Sequence, residues 1–263
     1  MALLHVERTD DGIAVVRLDR PDKRNALSFP MMRELVATAR ALGRDRRLRA
    51  VVLHGAGASF CAGLDLAELG SAPNRLTAFW ELLRPGRSLF QRAALAWQDL
   101  PVPVIAAVHG HCLGGGLQLA LAADVRIATP DCRLSIMEAR WGLVADMGLS
   151  RTLRGLVAAD VARELVYSAR IVEGEQARAI GLVTRLADDP LAAALELARE
   201  FAARSPDAVL AGKRVVDAML DGPRGSLRLE KAWQRKLLLG RNSAIARRRD
   251  KAPDTPWAPR QYR

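Results

Sequence analysis

The sequence predicts an α/β fold that gives way to helices toward the C-terminus. Short β-rich runs alternate with a helical pattern in the first half, strand signals become rare after about Ser135, and no internal repeat recurs at a fixed period. With 263 residues, half of them hydrophobic, the chain can build one large core or one core with a smaller appended segment.

Taken in order, GIAVVRLDR from Gly12, LRAVVLHG from Leu48, VPVIAAVHG from Val102 and DVRIAT from Asp124 read as strands, each closed by Gly, Asp or Thr-Pro turn signals. Between the first two, FPMMRELVATARALG from Phe29 has helical spacing of apolar residues and an expected C-cap at Gly43. This βαβ-like rhythm implies a largely buried sheet covered by helices. Further on, AADVARELVYSA from Ala158, EGEQARAIG from Glu173, DPLAAALELAREFAARS from Asp189 and SPDAVLAGKRVVDAML from Ser205 carry the helical period. Pro190 and Pro206 suit a first helical turn, and Ser205 is the expected N-cap ahead of Pro206. The simplest division falls near residue 200, with 1–200 as the α/β core and 201–263 as a helical segment.

Composition narrows the classes of function. No stretch approaches the roughly 20 apolar residues that span a bilayer, and MALLHVERTD meets acids too early for a secretory signal, so the expected location is cytoplasmic. Cys61, Cys112 and Cys132 form neither an even set nor a CxxC pair, which points to reduced, packed thiols. His109 and His111 lack a third ligand nearby, so no metal site is expected. The net charge of +11 fits either a solvated basic surface or a polyanionic partner. Much of it lies in a tail with Arg241, Arg247, Arg248, Arg249, Lys251, Arg260 and Arg263 against Asp250 and Asp254. No aromatic-interleaved platform, zinc finger or helix-turn-helix pattern accompanies the tail, so nucleic acid is not the expected partner; a phosphate-rich small molecule explains the charge equally well.

The chemistry-bearing stretch is HGHCLGGGLQLALAAD, residues 109–124, where an apolar strand runs into Gly114, Gly115 and Gly116 and then at once into a helix. Glycines there let another group approach the backbone, and the helix start offers unpaired N–H groups and the positive end of its dipole. Such a junction suits an anion, or an oxygen that becomes one. A second Gly-containing turn, SFCAGLDLAEL from Ser59, also enters a helical pattern, with Asp65 as its expected cap. Together the two turns can aim two N–H groups at one oxygen.

LDRPDKRNALS from Leu18, SFCAGLDL from Ser59, HGHCLGGGLQLALAAD from His109 and EARWGLVADMG from Glu138 resemble, in order and spacing, the enoyl-CoA hydratase/isomerase (crotonase) superfamily. The resemblance implies a spiral of ββα units with C-terminal helices packed between subunits of a homotrimer or hexamer. It implies an acyl-CoA thioester as substrate, with coenzyme A carried as part of that substrate and no further cofactor. The oxyanion hole would be the backbone N–H groups of Ala62 and Gly115, and the CoA cradle would draw on Arg24, Ala26, Leu27, Ser59, Cys61, Gly63 and Leu64. Arg24 is read either as a phosphate contact or as solvated surface.

Hydratases of this superfamily use two glutamates. The second is present as Glu138, but the first position holds Gln118, which can hydrogen-bond a water without taking its proton. Asp146, in the same loop as Glu138, makes that loop resemble the Δ3,5-Δ2,4-dienoyl-CoA isomerases. In that reading Glu138 takes a proton from C2 and Asp146, kept protonated by an apolar setting, delivers one at C6. The bland alternatives are a salt bridge from Glu138 to Arg140, a turn or cap role for Asp146, and a core position for Trp141 rather than the acyl pocket. In the C-terminal segment Ile245 stands where the superfamily often has an aromatic residue, and Arg247 to Arg249 are expected phosphate contacts. Isomerisation of an unsaturated acyl-CoA is the leading expectation, hydration of a 2-trans-enoyl-CoA the next, and a non-catalytic acyl-CoA or RNA scaffold the third.

Overall fold

The computed structural model describes residues 2–221, 226–249 and 252–262. A hairpin of β1 (Leu4–Arg8) and β2 (Ile13–Leu18) leads through a 3-10 turn at Pro21–Lys23 to α1 (Phe29–Arg44) and β3 (Ala50–Gly55). Helices α2 (Leu66–Leu69), α3 (Ala72–Leu83) and α4 (Leu89–Gln98) follow. Two ββα-like turns of the spiral come next: β4 (Val104–Val108), β5 (His111–Leu113) and α5 (Gly115–Leu121), then β6 (Val125–Ala128), β7 (Arg133–Ser135), a 3-10 turn at Glu138–Trp141 and α6 (Leu149–Thr152). The remainder is α7 (Ala159–Ser168), β8 (Val172–Glu173), α8 (Gly174–Ala179), β9 (Arg185–Leu186), α9 (Pro190–Ala202), α10 (Pro206–Asp221), α11 (Ser226–Leu238) and α12 (Arg241–Arg249).

The main sheet has the order β1-β2-β3-β4-β6-β9 and is parallel from β2 onward, with only β1 antiparallel. A smaller sheet, β5-β7-β8, stands beside it. Parallel strands covered on both faces read as continuous apolar runs, and β4, VIAAV, is buried at every residue. Alternate side chains divide between two layers. Val51, Leu53, Val104 and Ala106 pack toward Met31, Leu35 and Trp97 of α1 and α4, while Val52, Ile105, Ala107 and Ile127 pack against Ala194, Leu197 and Ala198 of α9.

Local signals explain most boundaries. Ser28 accepts a hydrogen bond from Met31 N–H at the start of α1, Asp65 caps α2 through Glu68 N–H, and Ser205 Oγ accepts from Ala208 N–H ahead of α10. Gly43 is not the C-cap: α1 runs on to Arg44, and the missing side chain leaves room for Leu100, whose Cδ2 would stand 3.2 Å from a Cβ there. Among the described residues no helix is long and apolar enough to cross a membrane.

The C-terminal helices build a small cluster of their own, with Leu210, Ala211 and Trp233 packed beside Tyr262. Buried Asp207 ties the end of the chain down. Its Oδ1 accepts from Gln261 N–H (2.8 Å) and Tyr262 N–H (3.3 Å), and its Oδ2 from the Asn242 amide (2.7 Å), while Asn242 Oδ1 accepts from Ala258 N–H. The basic tail is therefore only partly a solvated surface. Arg260, 1 % exposed, donates to the carbonyls of Tyr262 and Asp45, and burial lowers its pKa. Arg249 donates to Thr255 O and lies over the Trp257 ring, which removes it from the expected phosphate contacts. Arg247 donates to Ser243, and Arg248 is exposed. Ile245 is buried; Asp250, Lys251 and Arg263 lie outside the described residues. Asp207→Ala leaves buried donors without an acceptor and is expected to lower unfolding free energy by about 2 to 4 kcal/mol, read from urea denaturation.

Candidate active site

The site forms where the loops after β2, β3 and β5 meet, at the carboxyl ends of the parallel strands. Asn25 is the pin. It is fully buried in the left-handed region (φ 57°), accepts from Arg20 N–H through Oδ1, and donates through Nδ2 to Ala56 O (2.9 Å) and Ser59 O (2.8 Å). Arg20 adds an ion pair to Asp65 at 2.8 Å.

Main-chain bonds then stitch the loops together. Cys61 N–H donates to His111 O, Leu113 N–H to Cys61 O, Leu27 N–H to Gly63 O and Asp65 N–H to Leu27 O. Ala62 N–H donates to Arg24 O at 2.9 Å, so it is not available to a ligand, and the expected oxyanion donor at this position is corrected. The N–H groups of Leu64 and Gly115 have no acceptor among the described residues, and both residues line one cavity. They are neighbours: a Cβ built on Gly115 would lie 3.5 Å from Leu64 Cγ, and one on Gly63 would lie 3.6 Å from Gly115 N. Gly63 permits this approach, having φ +95° and standing where a Cβ would meet Leu113 O at 2.7 Å. Gly116 permits it from the other side, since a Cβ there would meet Cys61 O at 2.4 Å.

The cavity, about 110 Å³, has apolar walls from Leu64, Leu66, Met137, Trp141 and Leu143, and Glu138 is the only ionisable side chain lining it. Trp141 is 56 % exposed, so it belongs to the pocket mouth and not to the core. Glu138 is 9 % exposed, and among the described residues its carboxylate bonds Gln118 and not Arg140. Its Oε1 accepts from Gln118 Nε2 at 2.6 Å, and its buried Oε2 has no partner among the described residues. Burial raises its pKa and the nearby Asp146 carboxylate raises it further, while its own main-chain N–H and the Gln118 amide pull it down.

Gln118 is placed differently from the expectation. It is 1 % exposed and absent from the cavity wall, and its Oε1 accepts from Met147 N–H at 2.8 Å, so both ends of its amide hold protein groups. Asp146 is half-buried, lies outside the cavity wall, and has its pKa raised by burial. Of the expected CoA contacts, the side chains of Leu27, Ser59 and Cys61 face inward. Ser59 Oγ bonds His111 Nδ1, and Cys61 donates to Asn25 O with its thiol pushed up to about 12 by burial. Arg24 and Ala26 remain accessible, and the backbone at Gly63 and Leu64 borders the cavity. His109 bonds Gly57 O, and Cys112 and Cys132 are free and buried. A larger cleft of about 450 Å³ between α1 and α4 is lined by Arg40, Arg87, Arg92 and Arg214, but its one acid, Asp99, is already paired with Arg87.

Residues 8–235 match the enoyl-CoA hydratase/isomerase family. The chain belongs to that family. Among similar proteins, the mitochondrial Δ(3,5)-Δ(2,4)-dienoyl-CoA isomerase of Mus musculus is 37 % identical over 220 residues, covering 80 % of this chain and 67 % of the relative. The mitochondrial methylglutaconyl-CoA hydratase of the same organism is 32 % identical over 220 residues, covering 81 % and 68 %. The crystal structure of an enoyl-CoA hydratase from Bacillus anthracis superposes with a TM-score of 0.90 at 26 % identity, covering 98 % of this chain and 99 % of the other. The crotonase-type spiral expected from the motifs is thus the fold of this chain, and an acyl-CoA thioester is the kind of substrate that fits the family.

The site residues that sequence reasoning passed over are Asn25, Arg20 and Met147, while Leu64 was expected in the CoA cradle and not as one of the paired N–H groups. Asn25 and Leu64 lie inside the quoted motifs, but which N–H stays uncommitted depends on contacts across the fold. Gly63→Ala is expected to cost about 1 to 3 kcal/mol, from its backbone strain and the Leu113 contact. Because the turn carries Leu64 N–H, the same change should weaken acyl-CoA binding, measured by titration calorimetry.

Proposed function

We propose that this enzyme isomerises double bonds of an unsaturated acyl-CoA through a thioester enolate. The observation that carries the reading is the meeting, at one apolar cavity, of two uncommitted N–H groups and the buried Glu138 carboxylate, one oxygen of which has no partner among the described residues. A thioester carbonyl placed between Leu64 N–H and Gly115 N–H has its developing negative charge met by fixed donors, each typically contributing about 3 to 4 kcal/mol to the barrier. That makes the α-proton removable by Glu138, whose raised pKa brings it nearer the working pH of a base. Glu138 takes the proton from C2 through Oε2. In this reading Asp146, whose pKa burial raises, delivers a proton at C6 when it carries one.

Hydration is the second reading, favoured by the free Oε2 of Glu138, which can hold a water. Against it, the residue at position 118 is an amide, which cannot take a proton from water and is engaged by Glu138 and Met147. In the leading reading CoA enters with the substrate, Arg24 and the backbone at Gly63 and Leu64 border its path, and the exposed Val216, Met219, Leu227, Leu238 and Leu239 of the C-terminal helical segment pack between subunits of a trimer. A cytoplasmic location is part of the same reading.

Offered a 3,5-dienoyl-CoA, the protein is expected to generate the conjugated 2,4-dienoyl absorbance. Glu138→Gln should reduce the rate by about 100- to 10 000-fold, with Asp146→Asn also strongly impaired. Loss of 2-trans-enoyl absorbance that needs Glu138 but tolerates Asp146→Asn would instead establish hydration. Acyl-CoA binding without exchange of the α-proton into deuterated water would mark a scaffold.

The pH dependence follows from the sign of the shift. The base must be ionised, so kcat/KM should rise with pH through a midpoint above the usual glutamate range and fall away below it. A profile already flat at the ordinary glutamate value would exclude Glu138 as the base.

A further inference from the structure

We infer that Gln118 is the positioning residue of the site: one buried amide clamps both ends of the loop 138–147 and leaves Oε2 as the sole free oxygen of Glu138. The effect on turnover rests on the reaction proposed above; the clamp itself does not.

The orientation of the amide is fixed by chemistry. Met147 N–H can only donate, so the Gln118 atom 2.8 Å from it must be the carbonyl oxygen, which turns the NH₂ group toward Glu138 Oε1 at 2.6 Å. The donor stays on Glu138 when that carboxylate is ionised, which a carboxylate at position 118 could do only by retaining a proton. Gln118 sits on α5, which begins at Gly115, one of the two donor residues. The same short helix therefore places an uncommitted N–H and aims the carboxylate. Its second bond holds the backbone next to Asp146, so both acids are referred to one side chain.

No lysine or arginine offsets the charge of Glu138 among the described residues. Burial and Asp146 oppose its ionisation, while the nearby main-chain N–H groups of Glu138 and Met137 and the Gln118 amide, its one hydrogen-bonded side-chain donor among the described residues, favour it. Gln118 is the only side chain among those donors. Removing it should make ionisation harder and free Oε1 to rotate into the cavity.

Two variants separate the two bonds. Gln118→Leu removes both; Gln118→Glu keeps an acceptor for Met147 but must share a proton with Glu138. In the substrate-free protein, followed by NMR, Gln118→Leu should make the Met147 amide exchange at least about tenfold faster and move the Glu138 carboxyl titration to higher pH. Gln118→Glu should retain the Met147 protection and still raise the Glu138 midpoint. In turnover the acidic limb of kcat/KM should move up with that midpoint in both variants. With Gln118→Leu, kcat should fall by on the order of 100-fold while KM changes little. An unmoved Glu138 midpoint in either folded variant, or unchanged Met147 exchange in Gln118→Leu, overturns the clamp. Should Gln118→Leu fail to fold, the midpoint in Gln118→Glu still decides. A wild-type protein that exchanges no α-proton would end the proposed function, while the NMR measurements would judge the clamp unaided.

Discussion

The site depends on which main-chain N–H groups the loops leave uncommitted. Three loops converge after β2, β3 and β5, and several donors around the cavity are taken up: Ala62 by Arg24 O, Cys61 by His111 O, Asp65 by Leu27 O and Gly114 by Ser135 O. The N–H groups of Leu64 and Gly115, which border the cavity, keep their places because the surrounding bonds fix the backbone on either side of them. Asn25 supplies much of that determination, with one side chain satisfying three groups on two loops.

The electrostatics of the cavity are built from dipoles. The chain carries a net charge of +11, yet no cation enters the wall around Glu138. A lysine or arginine beside that carboxylate would lower its pKa and weaken it as a base, whereas apolar walls and a single amide donor leave its pKa raised. Some of the positive charge has a structural use far from the site, as in Arg260, whose guanidinium fastens the end of the chain to the carbonyl of Asp45.

The sequence made the central strands legible because buried parallel strands are continuous apolar runs, and β2, β3, β4 and β6 fall within the stretches that show them. β8 and β9, two residues each, and β5 and β7, three each, are too short for any period to register. The hairpin strand β1 was missed too, because its residues after Leu4 are mostly solvent-facing and show no apolar pattern. The glycine cluster, Glu138 and the general location of the hole were readable because they are local. Which N–H stays uncommitted was not: Ala62 and Leu64 lie two residues apart in one turn, and the distant carbonyl of Arg24 engages the first. The tail misled for a related reason, since charge alone does not reveal that Trp257 and the carbonyls of Thr255, Tyr262 and Asp45 engage Arg249 and Arg260.

Binding and reaction type are carried by different parts of this fold. In the proposed reaction the groups that meet the thioester oxygen are main-chain N–H groups, which substitution can displace but cannot delete. The groups that would decide where protons go are side chains: Glu138, Asp146 and, through its amide, Gln118. Changing the side chains on an unchanged backbone hole can therefore turn one thioester chemistry into another, which is how relatives named for an isomerase and for a hydratase can both resemble this chain. On that argument the identity of residue 118 matters more than overall similarity. An amide there cannot act as an acid, but it can hold the Glu138 carboxylate in one orientation, and proton transfer at carbon depends on that orientation.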